Sequence, residues 1–307
     1  MISRSESLDG RSGELRRLVD ARLDALIPEA PGSDDELARV MRYSLLAPGK
    51  RIRPLLALWI AESLGGTARQ ALDPACAIEM VHTASLMLDD LPSMDDAKLR
   101  RGRPTAHREF GEDTATLAAI GLMNRAFEVI SEAPQLTTFL RLELVRLLST
   151  TIGPGGLVTG QARDLEEPAA NPGAAALEET YRQKTSVLFG AAAETGARVA
   201  GARDADVEVL RRFTHDLGLI FQIRDDLLDR VGRPEDTGKE CGQDRDKQNL
   251  VSLLGETAAR DRMKNLAAGA HRALLDAGIT DSPILELSRS LLDLPAGTKT
   301  DGAADAC

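Results

Sequence analysis

The stretch Ile78-Glu-Met-Val-His-Thr-Ala-Ser-Leu-Met-Leu-Asp-Asp-Leu-Pro-Ser-Met-Asp-Asp96 decides the fold class. Its apolar residues recur at helical spacing, which predicts a helix that begins at Asp73-Pro74 and ends near Pro92. Most side chains of this helix are apolar, and aspartates follow at its C-terminal end. The pattern therefore predicts a buried helix with a cluster of acidic groups at its end.

The same helical spacing recurs along most of the chain, and no alternating strand pattern of useful length interrupts it. Ser33 is the predicted N-cap of a helix that stops near Ala47, and a further helix is predicted from Pro54 to Gly65. Further helices are predicted over 113–131, 136–152, 157–167, 175–199, 205–230 and 250–276. The fold class is all-α, with one large helical domain over 31–293. Residues 1–30 form a polar, partly flexible segment, and 294–307 a disordered tail.

Composition excludes several classes of protein. The 307 residues carry 38 Lys and Arg against 48 Asp and Glu, a formal net charge of −10, which argues against nucleic acid as a partner. No segment is long and apolar enough to span a membrane. The three cysteines are widely spaced, which favours the reducing cytoplasm over a disulfide framework or a zinc site.

The first acidic motif places four carboxylates in eight residues, followed at once by basic side chains. The carboxylates belong to Asp89, Asp90, Asp95 and Asp96, and the cations to Lys98, Arg100, Arg101 and Arg103. Carboxylates this close repel one another unless a cation lies between them. Oxygen ligands without His or Cys suit Mg²⁺, with Mn²⁺ as the alternative, and arginine forks suit phosphate. Taken alone, such a motif is more often a solvated turn.

A second acidic motif lies in the predicted helix over 205–230. Asp225 and Asp226 stand four and three residues before Asp229, so the three carboxylates share one rim of that helix. The apolar neighbours leave little purely polar face there. Two acidic clusters on apolar helices favour the facing walls of a metal-binding cleft over two solvated surfaces.

Basic elements elsewhere could complete a phosphate site. The run Gly49-Lys-Arg-Ile-Arg-Pro54 comes just before a predicted helix, Lys184 and Thr185 lie within one, and Lys239 and Lys247 flank a loop after the second acidic motif. His82 lies two helical turns before Asp89. Each of these alone is a weak signal, because basic residues at loop edges and core histidines are common.

Together these segments resemble the trans-prenyltransferases, the polyprenyl diphosphate synthase family, from about Leu37 to Leu292. The matching segments are GKRIRP, DDLPSMDDAKLRRGRPT, GQARDLE, KT, FQIRDDLLD and TGK followed by DK and LVSLLG. The resemblance is greatest to bacterial geranylgeranyl diphosphate synthases of carotenoid pathways. It implies helices around a central active-site cavity, a homodimer, and condensation of isopentenyl diphosphate with dimethylallyl, geranyl or farnesyl diphosphate.

The resemblance also implies roles for individual residues. The principal Mg²⁺ ligands would be Asp89, Asp95 and Asp225, and Asp90, Asp226 and Asp229 would either bind the metal through water or orient the other ligands. The allylic diphosphate would be held by Arg100, Lys184, Thr185, Gln222 and Lys239, with Gln161 and Asp164 facing the allylic end. Isopentenyl diphosphate would be held by Gly49 or Lys50, with Arg53, His82 and Arg101. Asp246, Gln248 and Asn249 depart from the family pattern, which weakens the phosphate role of Lys247.

Product length is predicted from the helix that carries Asp89. One turn below that residue, roughly 5–8 Å deeper, the side chains of Ala84 and Ser85 would form the floor of the product pocket. Members of the family that stop at farnesyl diphosphate often carry a bulky aromatic at the Ala84 position. A small residue there predicts geranylgeranyl diphosphate as the main product, unless a residue between Leu117 and Phe127 forms the floor.

Several alternatives remain open at the level of sequence. A farnesyl diphosphate synthase or a longer-chain relative would share every motif. A class I terpene cyclase is disfavoured, because the basic run at Gly49 and a second acidic motif indicate two diphosphate substrates. An inactive regulatory subunit would usually lack one acidic motif, and a helical metal-binding scaffold would not need the phosphate-binding residues.

Overall fold

The computed structural model describes residues 4–27, 35–170, 172–231, 249–276, 278–279, 283–290 and 292. These residues form fourteen α-helices, one π-helical segment and one two-stranded hairpin. The first helices are α1 (Arg4–Leu26), α2 (Glu36–Leu45), α3 (Ile52–Ser63) and α4 (Ala68–Asp89). The strands β1 (Leu99–Arg100) and β2 (Arg103–Pro104) pair antiparallel, and α5 (Ala106–Phe110), α6 (Glu112–Glu132), α7 (Thr138–Ile152), α8 (Leu157–Ala170) and α9 (Ala174–Tyr181) follow. The π-helical segment is Arg182–Ser186, followed by α10 (Val187–Val199), α11 (Asp204–Val231), α12 (Leu250–Leu254), α13 (Glu256–Asp276) and α14 (Pro283–Ser290).

The core is built around α3, α4 and α10, which contact one another. Their apolar side chains bury almost completely, and α6 covers α4 while α11 covers α10. The all-α prediction is therefore confirmed. None of the described helices is long and apolar enough to cross a bilayer.

The predicted start of α4 at Asp73 is wrong. The helix begins at Ala68, because Thr67 and Gln70 form a complete capping box, in which each side-chain oxygen accepts a hydrogen bond from the other residue's backbone N–H. Pro74 consequently lies inside the helix instead of at its first position. The helix α3 likewise begins at Ile52, two residues before the predicted Pro54.

The N-cap of α2 also differs from the prediction. Asp35 accepts a hydrogen bond from the Ala38 backbone N–H at 3.0 Å and caps the helix. The predicted cap, Ser33, lies outside the described residues, as does the tail over 294–307.

The N-terminal segment, predicted as polar and partly flexible, contributes to the core. Leu15, Val19 and Leu23 of α1 are fully buried in the same apolar cluster as the central helices. The apolar face of α1 is narrow, because these buried residues recur only every fourth position, and charged residues cover the other faces. That narrowness explains why the segment reads as polar in the sequence.

Candidate active site

The first acidic motif folds back on itself at the end of α4. The backbone N–H of Asp95 donates to the Asp89 carbonyl at 2.9 Å, which closes the turn between the two aspartates. Burial raises the pKa of Asp89 to about 6, and the neighbouring charge of Asp95 adds to this, whereas Lys184 and Arg100 oppose it. The turn thus holds carboxylate oxygens that are costly to leave charged without a nearby cation.

Asp90 is bound to an arginine of the same motif. Arg100 Nε lies 2.7 Å and 2.8 Å from the two carboxylate oxygens of Asp90, and Arg100 Nη2 lies 2.6 Å from Oδ1. Asp90 is buried, and the burial raises its pKa against the opposing effect of Arg100. The hairpin that carries Arg100 is therefore attached to the end of α4 by a charged fork.

The tight turn of this hairpin also directs Arg101. Both central residues, Arg101 and Gly102, have positive φ, 54° and 74°, as in the turns that match the twist of a two-residue hairpin. An arginine in this conformation is strained, and the turn places its guanidinium against Gly49. A Cβ at Gly49 would lie 3.0 Å from Arg101 Nη1, so any other residue there would require the guanidinium to shift by a few tenths of an ångström.

The π-helical segment carries Lys184 and Thr185. Lys184 Nζ lies 2.7 Å from Asp164 Oδ2 of α8. Burial alone would lower the pKa of Lys184, but the carboxylates of Asp164 and Asp89 outweigh burial and raise it. The ammonium therefore remains charged beside the first acidic motif.

Two glycines allow neighbouring helices to approach this segment closely. A Cβ at Gly160 of α8 would lie 2.3 Å from the Lys184 backbone N, and one at Gly218 of α11 would lie 2.3 Å from Ser186 Oγ. Neither position tolerates a side chain without displacement of backbone. The widened π turn and these two contacts together determine where Lys184 and Thr185 point.

A chain of hydrogen bonds joins the π-helical segment to the second acidic motif. Thr185 Oγ1 donates to Gln222 Oε1 at 3.0 Å, and Gln222 Nε2 donates to Asp226 Oδ1 at 3.2 Å. Tyr181 Oη donates to the other carboxylate oxygen, Oδ2, at 2.7 Å. Asp226 is thus buried with donors on both of its oxygens.

Arg53 of α3 contacts α4 and α10. Its Nη1 lies 3.2 Å from His82 Nε2, and since arginine can only donate, the ring nitrogen accepts. The guanidinium stacks over the Phe189 ring at 4.5 Å. Burial lowers the pKa of Arg53 to about 10, while Glu79 and Asp225 attract the cation. Burial also lowers the pKa of His82 well below its ordinary value, with Arg53 adding to the effect, so the imidazole is neutral at neutral pH.

The remaining predicted residues belong to the diphosphate sites, to the predicted floor of the product pocket, or to the part of the chain outside the described residues. Lys50 is exposed, and Gln161 contacts Met94 Sδ at 3.7 Å through Nε2. Ala84 is fully buried in the core cluster, whereas Ser85 is half-buried and donates to the His82 carbonyl. Lys239 and Lys247 lie outside the described residues, and so does the Asp229 side chain.

A small cavity of about 40 Å³ lies between α2, α4 and the hairpin. Asp90, Arg101, Thr83 and Met87 are among the residues that line it. Ala84 is not among its lining residues, so this cavity differs from the product pocket that the sequence predicts.

Oxygen donors are available for a metal, but they do not form a complete cage. Within the described ranges, no three His, Cys, Asp or Glu side chains lie close enough to hold an ion by themselves. Mg²⁺ usually takes only one or two carboxylates and completes its octahedron with water and substrate phosphate. The pair Asp89 and Asp95 fits that requirement.

Sequence reasoning missed Tyr181, Arg51 and Glu79. Arg51 and Glu79 form an ion pair at 2.9 Å, in which both side chains are buried. A lone glutamate among the apolar residues of α4 is a signal that could have indicated a buried partner. No comparable signal marks Tyr181, because its contact with Asp226 spans 45 positions.

Comparison with known proteins decides the family. The model of the polyprenyl synthetase family matches residues 34–272. The chain belongs to the polyprenyl synthetase family. Its members are prenyltransferases, and this chain is an isoprenyl diphosphate synthase of the geranylgeranyl or farnesyl type.

Individual relatives differ in the product that their names give. The geranylgeranyl diphosphate synthase of Pantoea ananas is 48% identical over 248 residues, which cover 80% of this chain and 81% of the relative. The farnesyl diphosphate synthase of Geobacillus stearothermophilus is 40% identical over 270 residues, covering 87% and 91%. A Helicobacter pylori geranyltransferase, solved in complex with magnesium and isoprenyl diphosphate, superposes with a TM-score of 0.82 at 30% identity, covering 92% and 95%.

Proposed function

We propose that this protein condenses isopentenyl diphosphate head to tail with allylic diphosphates, with geranylgeranyl diphosphate as the main product and Mg²⁺ as the cofactor. The observation that carries this is the position of the π-helical segment. Lys184 is attracted by Asp89 on one side, and the next residue, Thr185, is bonded to Gln222 one turn before Asp226. Residues of both acidic motifs therefore border one short cationic segment.

Two groups of cations support two diphosphate sites. Lys184 and Arg100 lie beside Asp89 and would bind the allylic diphosphate. Arg53, Arg101 and the neutral His82 lie beside the loop at Gly49 and would bind isopentenyl diphosphate. Arginine forks are well matched to phosphate oxygens, and a neutral imidazole can still donate one hydrogen bond.

Different residues would stabilise the leaving diphosphate, bind the metal and exclude water. When the allylic C–O bond breaks, negative charge develops on the departing diphosphate, and fixed cations stabilise that charge more than they stabilise the intact substrate. Bound Mg²⁺ would supply further charge neutralisation at the same oxygens, with Asp89, Asp95 and Asp225 as its protein ligands and Asp90, Asp226 and Asp229 in supporting positions. Buried apolar side chains exclude water, which would otherwise capture the carbocation.

The length of the product depends on the residues one turn before Asp89. Ala84 is small and Ser85 follows it, so neither blocks a growing chain. The higher identity to the Pantoea enzyme favours geranylgeranyl diphosphate. Farnesyl diphosphate is the second candidate product, because a farnesyl diphosphate synthase matches more of the chain, though at lower identity.

An apolar surface supports a homodimer. Phe139 and Leu142 lie three residues apart on α7 and are 75% and 68% exposed, and Leu117 and Ile120 repeat this spacing on the adjacent α6. Large apolar side chains this exposed are often covered by a partner protein. A cytoplasmic location and a role in carotenoid biosynthesis stay predictions from the sequence.

The test is an incubation of the purified protein with isopentenyl diphosphate and each allylic starter in turn, with and without Mg²⁺. The products are dephosphorylated and the alcohols are sized by chromatography. Geranylgeraniol formed only with Mg²⁺ supports the proposal, and farnesol as the end product supports the second candidate. Consumption of an allylic diphosphate without isopentenyl diphosphate would overturn both in favour of a cyclase.

A further inference from the structure

Arg51 differs from the other basic residues of the run at Gly49, because its side chain turns into the protein. It is the N-cap of α3 and has a left-handed backbone conformation, with φ 50° and ψ 36°. Its side chain is only 2% exposed, whereas Lys50 beside it is exposed. A non-glycine residue in this conformation is strained, so other contacts must hold it there.

Three different acceptors use the three nitrogens of the Arg51 guanidinium. Nη1 donates to Glu79 Oε1 of α4 at 2.9 Å, Nε donates to Asp20 Oδ1 of α1 at 2.8 Å, and Nη2 donates to the Ala47 carbonyl at 3.1 Å. The Glu79 side chain is 3% exposed. One planar fork therefore ties two helices and the loop after α2 together.

The contact with Ala47 leads to the isopentenyl diphosphate residues. The same carbonyl also accepts from Arg101 Nη1 at 3.4 Å, and two residues later Gly49 packs against the Arg101 guanidinium. Glu79 attracts Arg53 and Arg101 as well as Arg51. The buried Glu79 carboxylate thus attracts all three arginines, which would otherwise repel one another, while Asp20 also pairs with Arg51 and Asp225 also attracts Arg53.

We propose that the buried Arg51–Glu79 pair is a positioning device for isopentenyl diphosphate: it holds the loop 47–50 against Arg101 and so sets the affinity for this substrate alone. The inference rests on the proposed function, in which Arg101 and the loop bind isopentenyl diphosphate. Lys184 and Arg100, which would bind the allylic diphosphate, are not among the hydrogen-bond partners of Arg51 given above. Neither Arg51 nor Glu79 needs to touch substrate.

Arg51→Lys tests whether the hydrogen bonds of Arg51, and not only its positive charge, position the loop 47–50. Lysine keeps the positive charge in the cluster, but its single ammonium cannot reach three acceptors in a fixed plane. We expect the KM for isopentenyl diphosphate to rise about tenfold, the equivalent of one buried hydrogen bond to a charged group. The KM for the allylic diphosphate should change by less than about twofold, since its site does not use the loop.

The structure offers a matched control. Arg22 of α1 binds Asp73 of α4 through Nε at 2.7 Å and Nη2 at 3.1 Å, away from the loop. Arg22→Lys makes the same chemical change in a second ion pair to α4, and it should lower thermal stability without changing either KM. Asp20→Asn and Asp73→Asn form a milder matched pair that also serves if Arg51→Lys fails to fold. Asp20→Asn should raise the KM for isopentenyl diphosphate by about two- to threefold and Asp73→Asn should not.

A third variant separates failure of this inference from failure of the proposed function. Arg101→Lys should raise the KM for isopentenyl diphosphate if that residue binds the substrate. If it does so while Arg51→Lys and Asp20→Asn leave both KM values unchanged, or raise the two KM values equally, the positioning role is overturned. If Arg101→Lys has no effect on that KM, the assignment of the isopentenyl diphosphate site itself is wrong.

Discussion

Tyr181 donates its phenolic hydrogen to Asp226 across 2.7 Å, from the last residue of α9 to the second acidic motif. The tyrosine immediately precedes the π-helical segment, so the same short stretch that carries Lys184 also fixes a carboxylate on α11. The environment raises the pKa of Tyr181, through burial first and then the charge of Asp226, so the phenol is protonated at neutral pH and can donate.

Tyr181→Phe tests whether this hydrogen bond serves the site. The variant leaves the buried Asp226 with one donor fewer, which should lower the free energy of unfolding by about 1 kcal/mol. Because the carboxylate is then less firmly oriented, we expect the Mg²⁺ concentration for half-maximal turnover to rise severalfold. The matched control is Tyr43→Phe, which removes a hydrogen bond to the Pro104 carbonyl at 2.9 Å. An equal shift in both variants would contradict the role of Tyr181.

Asp89→Asn and Asp225→Asn should each reduce turnover by at least about a hundredfold while the fold is retained, because both remove charge where the metal is proposed to bind. Steady-state rates at saturating substrate, with circular dichroism as the check on folding, measure this. Asp96→Asn is the matched control, since Asp96 belongs to the same motif but forms an exposed ion pair with Arg108 at 3.0 Å. If either site variant kept near-normal turnover under Mg²⁺, the hypothesis that the two acidic motifs bind the metal together would be wrong.

The metal-free protein should be more stable when Asp89 is neutral. Burial raises the pKa of this carboxyl from 3.8 to about 6, so above pH 6 the folded protein holds a charge that the unfolded chain holds at lower cost. Asp89→Asn should therefore increase stability at pH 8 by on the order of 2 kcal/mol, a few degrees in melting temperature. The gain should shrink as pH falls through 6 towards 4, where both states of the wild type take up the proton. A gain that is independent of pH would contradict this origin.

Ala84→Phe should shift the product towards farnesyl diphosphate, because the larger side chain would block the proposed pocket one turn below Asp89. Ala84 is fully buried, so the variant needs a melting measurement beside the product analysis. Ser85→Phe probes the adjacent, half-buried position and should shorten the product as well. If both folded variants keep the wild-type product, the floor of the pocket lies elsewhere, with the stretch between Leu117 and Phe127 as the next candidate.

The exposed apolar surface of α6 and α7 predicts the dimer interface. Phe139→Glu combined with Leu142→Glu places two charges in that surface and should convert a dimer into monomers in analytical ultracentrifugation. Leu275→Glu is the control, since Leu275 of α13 is also an exposed leucine but lies outside this surface. A wild-type protein that sediments as a monomer would contradict the proposal directly.

The sequence by itself determined the helical architecture and predicted the chemistry of the site. Apolar periodicity is a local property, so the helix ending in Asp89 and Asp90 could be recognised without coordinates. The chemical types of the ligands are equally local, since aspartates without His or Cys favour a hard cation wherever they lie. The apolar periodicity of 175–199 also predicts a helix, whereas no local pattern predicts the π turn within it.

Only the tertiary structure decided which of these residues act on one another. The helix α4 begins after Thr67 and not at the predicted Asp73. The capping box at Thr67 starts the helix earlier, so Asp73 lies inside the helix and does not act as its N-cap. The inward turn of Arg51 depends on Glu79, 28 positions away, and on Asp20, 31 positions away. A buried charge is stable only beside its partner, and that proximity arises from the packing of α1, α3 and α4, which no local pattern of residues specifies.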